Sequence, residues 1–173
     1  MGKSKRRIFL GIFALEWRVW YFSIMQIDIQ FLPFPPDPQI LSNRAAVVID
    51  VLRATSVMVH AMSQRAVEIV PVATVEEAFQ RARTFPPSAI LLGGERGNQK
   101  IPGFDLGNSP KEYVAEKVEG KRLILTTTNG TKAFHLLSSG KEIMVGSFFN
   151  IGATAQRCLE LSRDLLLFPS GDE

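Results

Sequence analysis

The chain has 173 residues, 46% of them apolar and 21% charged, which suits one folded domain with a sizeable core and excludes disordered or membrane-embedded composition. Lys3, Lys5, Arg6, Arg7 and Arg18 against Glu16 give the first 24 residues a net of +4, so the whole-chain +3 leaves −1 for the rest. The body therefore lacks a basic stripe for nucleic acid, and the single cysteine, Cys158, excludes an intrachain disulfide and reads as core filler in a reducing compartment.

Residues 1–24 begin with a basic cluster and an apolar run, as a secretion signal does, but Glu16 and Arg18 interrupt the run and no small-x-small cleavage site follows. They are too short and too charged to span a bilayer. They read as an extension outside the domain, with an amphipathic surface anchor as the sharper alternative; the domain itself is placed at 25–173. No other stretch is long and apolar enough to be transmembrane.

From Met25 the pattern alternates between strand and helix periods. "QIDIQFL" sets Ile27, Ile29 and Phe31 against Asp28 and Gln30, a half-buried strand, and "PFPPDP" over 33–38 reads as a loop. "AAVVIDV" is a continuous apolar run, expected of a strand covered on both faces. Ala54, Val57, Met58 and Ala61 then form one helical stripe. "VEIVPV" is a short strand that Pro71 ends or confines to an edge, and Thr74 with Glu77 forms a capping box for the next helix. "AILLGG" is a buried strand followed by a long connection, 95–108, rich in glycine. "NSPKEYV" predicts a helix with Ser109 as N-cap and Pro110 at its first position. "RLILTT", "EIMVGSF" and "DLLLF" are further strands, with helices over 131–138 and 151–162. Strands alternating with helices imply an α/β fold: a mainly parallel sheet with helices on both faces, in three layers.

Such sheets bind ligands outside the carboxyl ends of their strands. Four strand ends here carry polar clusters: Asp50, Arg53, Thr55 and Ser56; Glu95, Arg96, Asp105 and Asn108; Thr128 and Asn129; Ser147 and Asn150. All four are expected to meet at one edge and handle a small anion beside a hard cation. Helix N-termini and the forked donors of Arg53 and Arg96 suit oxyanions, while Asp50, Glu95 and Asp105 supply oxygen ligands that suit Mg²⁺. His60 and His135 share no ligand spacing, which argues against zinc. Plainer readings stand beside these: Thr55, Ser56 and Ser109 as helix caps, Asn129-Gly130 as a tight turn, and Asp50 with Arg53 as a surface ion pair.

Familiar phosphate machinery is absent. There is no P-loop, Cys158 lacks the arginine spacing of a cysteine phosphatase, and Leu52 stands where a haloacid-dehalogenase motif needs a second Asp.

The blocks "DVLRATS", "GGERGNQKIPGFDLGNSP", "LTTTNGTKA" and "VGSFFN" together resemble the 2-phosphosulfolactate phosphatase (ComB) family, from about Gln26 to the end. The resemblance implies a cytoplasmic, oligomeric α/β hydrolase that is Mg²⁺-dependent. Its reaction converts 2-phospho-3-sulfolactate to 3-sulfolactate and phosphate, a step toward coenzyme M. On this reading Asp50 and Asp105 hold Mg²⁺, and Glu95 is a third ligand or orients water. Arg53, Thr55 and Ser56 grip the phosphoryl group. Arg96, with Asn129 or Asn150, holds the sulfonate or carboxylate end, and Asn108, Thr128 and Ser147 complete the substrate contacts. Members of the family continue beyond "LLLFPSGDE", so this chain is expected to lack a C-terminal part. Two alternatives stand beside this: a truncated relative that binds an anion without catalysis, or a gene fragment; and a phosphatase for another small phosphorylated acid.

Overall fold

The computed structural model describes residues 25–31 and 34–171; the expectation for residues 1–24 lies outside them. The elements alternate as expected of an α/β chain: β1 (Ile27–Ile29), α1 (Pro38–Asn43), β2 (Arg44–Ile49), α2 (Ala54–Ser63), β3 (Glu68–Pro71), α3 (Val75–Ala82), β4 (Ile90–Arg96), β5 (Gln99–Lys100), α4 (Ala115–Val118), β6 (Arg122–Thr126), α5 (Gly130–Leu136), β7 (Ile143–Gly146), α6 (Ile151–Leu161) and β8 (Asp164–Pro169).

The strands form two four-stranded sheets rather than the single sheet expected, ordered β1-β8-β2-β7 and β3-β6-β4-β5. Every pair is parallel except β4 with β5, which are joined by a two-residue turn. In the first sheet, Ala46 and Val48 pack with Leu41 of α1 and with Ala133 and Leu137 around α5. Ala45 and Val47 pack on the other face with Cys158 of α6. Because β2 is covered on both sides, its sequence is a continuous apolar run with no alternation. The second sheet is covered likewise. Ile90, Leu92 and Ile124 meet Ala78 of α3, while Leu123 and Leu125 meet Val57, Met58 and Ala61 of α2. Leaving β2 in the first sheet and packing on the second, α2 holds the two together.

Three local expectations are revised. Ile27, Ile29 and Phe31 face outward, and the half-buried residue of β1 is Asp28, which pairs with Arg44. This partly buried ion pair, not the apolar alternation, sets which face of β1 turns inward. The proline-rich loop gives way to α1 at Pro38, where proline suits a first helical position and the Asp37 side chain accepts from the Gln39 N–H at 2.8 Å. Ser109 opens only a 3₁₀ turn, Pro110–Glu112, and makes no side-chain cap; Glu112 instead accepts from the Gly107 N–H at 2.8 Å. Thr74 does cap α3, accepting from the Glu77 N–H at 3.0 Å, while the Glu77 carboxylate reaches the N–H of Ala73.

Candidate active site

A polar pocket of about 460 Å³ opens where β2, β4, β6 and β8 end. Parallel strands place their carboxyl ends together, so the residues following them converge.

At the end of β2, the chain turns into α2 through a ring of short bonds. The Asp50 N–H donates to Thr55 Oγ1 and the Thr55 N–H donates back to the Asp50 carbonyl, both at 3.0 Å. Ser56 Oγ donates to the Val51 carbonyl at 2.7 Å. The Ala54 and Arg53 N–H groups and the Ser170 hydroxyl act to lower the proton affinity of the Asp50 carboxyl. Burial, with the charge of Glu95, nevertheless pushes the Asp50 carboxyl above its ordinary value.

Glu95 has the opposite balance. Only 6% exposed, it accepts from the Thr128 N–H at 2.7 Å, the Asn98 N–H at 2.9 Å and the Thr128 hydroxyl at 3.1 Å. Burial acts to raise its proton affinity, but these three donors and the Arg96 guanidinium outweigh burial and hold the carboxyl below its ordinary value. The pocket thus pairs a carboxylate fixed in its ionised form with one that burial and a like charge disfavour as an anion. A cation joining them removes that penalty.

Two glycines make the approach possible. A Cβ on Gly94 would lie 1.9 Å from the Thr126 carbonyl oxygen, where β4 and β6 run together. A Cβ on Gly130 would lie 2.3 Å from Asp50 Oδ2 and 2.4 Å from the Ala54 Cβ. The start of α5 therefore rests directly on the Asp50 carboxylate.

Of the residues singled out in the sequence, Asp50, Arg53, Glu95, Asn108, Thr128 and Asn129 line this pocket. The side chain of Asn108 is buried, and its Oδ1 has no hydrogen-bond partner. An orphaned buried acceptor on a residue that lines a polar pocket asks for a donor or a cation.

The other six sit elsewhere. Thr55 and Ser56 are buried with their hydroxyls engaged in the β2–α2 turn, so they neither line the pocket nor cap α2, whose N-cap is Arg53 with no side-chain cap bond. Arg96 donates to Thr126 Oγ1 at 2.8 Å and to the Ala73 and Glu95 carbonyls, tying strand ends together instead of facing the pocket. Asp105 accepts from the Leu92 N–H at 2.8 Å, bracing the segment that runs beside β4. The expected set of three carboxylates is therefore not assembled; among the described residues no three His, Cys, Asp or Glu side chains are placed to hold a metal ion. Ser147 and Asn150 do not join the pocket either. Asn150 Oδ1 accepts from the Ser147 N–H at 2.9 Å and its amide donates to the Val145 carbonyl at 2.8 Å, so both shape the β7–α6 turn.

Sequence reasoning missed Asn98 and Ser170. Gly97 and Asn98 both have positive φ, at 57° and 64°, and form the two-residue turn between β4 and β5 that a Gly-Asn dipeptide signals. Ser170 follows β8 directly, and its N–H donates to the Ile49 carbonyl at 2.9 Å, placing it beside Asp50. The strand-end rule applied to β8 would have found it.

The model of the 2-phosphosulpholactate phosphatase family matches residues 35–173, and the chain belongs to that family. It is 46% identical over 133 residues to a probable 2-phosphosulfolactate phosphatase of Caldanaerobacter subterraneus subsp. tengcongensis, covering 77% of this chain and 55% of that protein. Proteins of the same description from Clostridium acetobutylicum and Carboxydothermus hydrogenoformans are each 43% identical, over 85% and 86% of this chain and 62% and 60% of their own lengths. The chain thus spans little more than half the length of these relatives.

Proposed function

We propose that the pocket is the phosphate-handling site of a metal-dependent phosphatase that hydrolyses 2-phospho-3-sulfolactate to 3-sulfolactate and phosphate. The observation that carries the reading is the meeting of Asp50, Glu95, Arg53 and the unpartnered Asn108 oxygen in one polar pocket at the strand ends. The family and the names of its relatives supply the substrate.

The donors fit Mg²⁺, which takes hard oxygens and is commonly bound by one or two carboxylates plus water and substrate oxygens. Asp50 and the Asn108 oxygen would hold it, with Glu95 beside them; Asp105 is not in position. Bound there, Mg²⁺ supplies charge neutralisation for the phosphoryl oxygens. Arg53 presents a forked guanidinium to the same oxygens and stabilises the charge spread over them during transfer. The Thr55 N–H at the start of α2 is taken by the Asp50 carbonyl, so anion binding is assigned to Arg53. Glu95 fixes the Thr128 backbone and hydroxyl and the hairpin turn, setting the pocket's shape. Asn129, which lines the same pocket, would take the far end of a two-headed substrate.

This reading carries with it a small phosphorylated acid as partner, a cytoplasmic place and a step toward coenzyme M. Among the described residues no helix is long and apolar enough to cross a membrane.

The test is phosphate release from 2-phosphosulfolactate by the purified chain, with Mg²⁺ and with EDTA. Release that EDTA abolishes is expected. Absence of release from a demonstrably folded chain would move the molecule to a non-catalytic, anion-binding role, and equal release from other phosphorylated acids would overturn the substrate.

A further inference from the structure

A ligand with a phosphoryl group, a carboxylate and a sulfonate brings three anionic heads to the polar pocket, yet among the described residues that line it Arg53 alone is cationic. The rest of the polar lining is two carboxylates, Thr128 and three asparagines, Asn98, Asn108 and Asn129. Neutral amides must therefore receive a head that the guanidinium does not.

Asn98 is fixed by bonds that leave its side chain unused. Its φ is 64°, and its N–H donates to Glu95 Oε2 at 2.9 Å. Arg96 ties the base of the same turn to the Ala73 carbonyl and to Thr126 Oγ1. Glycine meets a positive φ without strain, and asparagine is one of the few other residues that tolerate it. What Asn98 adds beyond a second glycine is an amide, and among the described residues that amide makes no hydrogen bond. Asn129 repeats the pattern after β6. It stands at the N-cap of α5, where asparagine commonly caps through its side chain, but it makes no such bond. Thr127 and Thr131 close that turn instead, each N–H donating to the other's Oγ1 at 3.0 and 3.1 Å. Two strand ends thus line one pocket with uncommitted amides.

Sulfonate suits such donors. It is the anion of a strong acid, spreads its charge over equivalent oxygens and takes no proton near neutral pH. It is thus a weak acceptor, best held by several neutral N–H groups arriving from different directions. A guanidinium fork matches a carboxylate or the edge of a phosphoryl group better. We propose that Asn98 is a specificity-determining residue whose amide, with that of Asn129, holds the sulfonate end of 2-phospho-3-sulfolactate. The assignment rests on the phosphatase reading for the identity of the ligand. Because Glu95 and Arg96 already brace the turn, only side-chain rotation of Asn98 remains to be fixed on binding.

The experiment compares wild type with Asn98→Gly and Asn98→Asp on 2-phosphosulfolactate and on 2-phospholactate, which differs only in lacking the sulfonate. Glycine keeps the backbone of the turn and removes the amide; aspartate keeps the side chain's size and puts an acceptor where the donor was. In Asn98→Gly the ratio of kcat/KM for the two substrates is expected to fall at least about tenfold, through a higher KM for phosphosulfolactate. In Asn98→Asp it is expected to fall further, with thermal unfolding showing both variants folded. A ratio within about twofold of wild type in Asn98→Gly would overturn the proposal, since glycine replaces without loss a residue kept only for its turn. Calorimetry with 3-sulfolactate separates that result from failure of the phosphatase reading. If wild type binds 3-sulfolactate but releases no phosphate, catalysis is refuted, and the role of Asn98 stands only if Asn98→Gly weakens this binding at least about tenfold. Absence of binding to folded wild type would overturn both.

Discussion

Replacing Glu95 with Gln probes the bonding that shapes the pocket. The carboxylate receives three hydrogen bonds, from the Thr128 N–H and hydroxyl and from the Asn98 N–H, and is 6% exposed. Glutamine keeps one oxygen, so its amide nitrogen must face at least one of those donors, and the remaining bonds lose charge assistance. Hydrogen bonds to a charged group contribute about 1.5–3 kcal/mol each, and relief of burial and of repulsion from Asp50 offsets part of the loss. A net destabilisation of about 2–4 kcal/mol follows, a large share of the total for a domain of this size. With a urea m-value of about 1–3 kcal/mol/M, the midpoint falls by roughly 1–2 M at pH 7 with the slope unchanged. The pH dependence has a definite sign. Because the fold lowers Glu95's proton affinity, its contribution is whole above the ordinary value of 4.5 and drains away as pH falls through the lower folded value. Wild type and variant should therefore run apart from pH 5 to 8 and converge in acid. A gap under about 0.5 kcal/mol at pH 7, or one that widens in acid, refutes the reasoning.

Asp50 behaves in the opposite sense: its raised proton affinity means that the fold disfavours its ionised form, so the stability of Asp50→Asn relative to wild type should improve as pH rises from 3 to 7 in metal-free buffer, read as the difference in Tm. Gly130→Ala sets two effects against each other. Helix propensity favours alanine by up to about 1 kcal/mol, but the new methyl meets Asp50 and Ala54, so a net loss of about 1–3 kcal/mol in chemical denaturation is expected. Tyr113→Phe removes the buried hydroxyl that donates to the Gly107 carbonyl at 2.7 Å and should cost about 1–2 kcal/mol, seen in the denaturation midpoint.

The course of the fold was legible because its strongest signals are periodic. The unbroken apolar run of β2, the stripe of α2 and the Thr74 cap each reflect a local requirement that survives in the finished structure. The strand-end rule placed Asp50, Glu95, Thr128 and Asn108 correctly in one region. What was not legible is where a polar side chain spends its hydrogen bonds. Thr55, Arg96 and Asn150 carry the right chemistry for an anion site, yet their partners are backbone groups and neighbouring hydroxyls within reach. Asp105 was misplaced for a related reason: the segment 105–106 runs alongside β4, so its carboxylate meets Leu92 before it can reach the strand end. The outward face of β1 depended on an ion pair formed across 16 residues, which alternation cannot report.

The most direct test of the site is steady-state phosphate release from 2-phosphosulfolactate by wild type and Asp50→Asn at the same Mg²⁺ concentration, each shown to be folded. Loss of at least about a hundredfold in kcat, the scale of removing a group that acts on the reacting phosphoryl, is the expected result. Near-normal turnover by Asp50→Asn would place the chemistry somewhere other than this pocket.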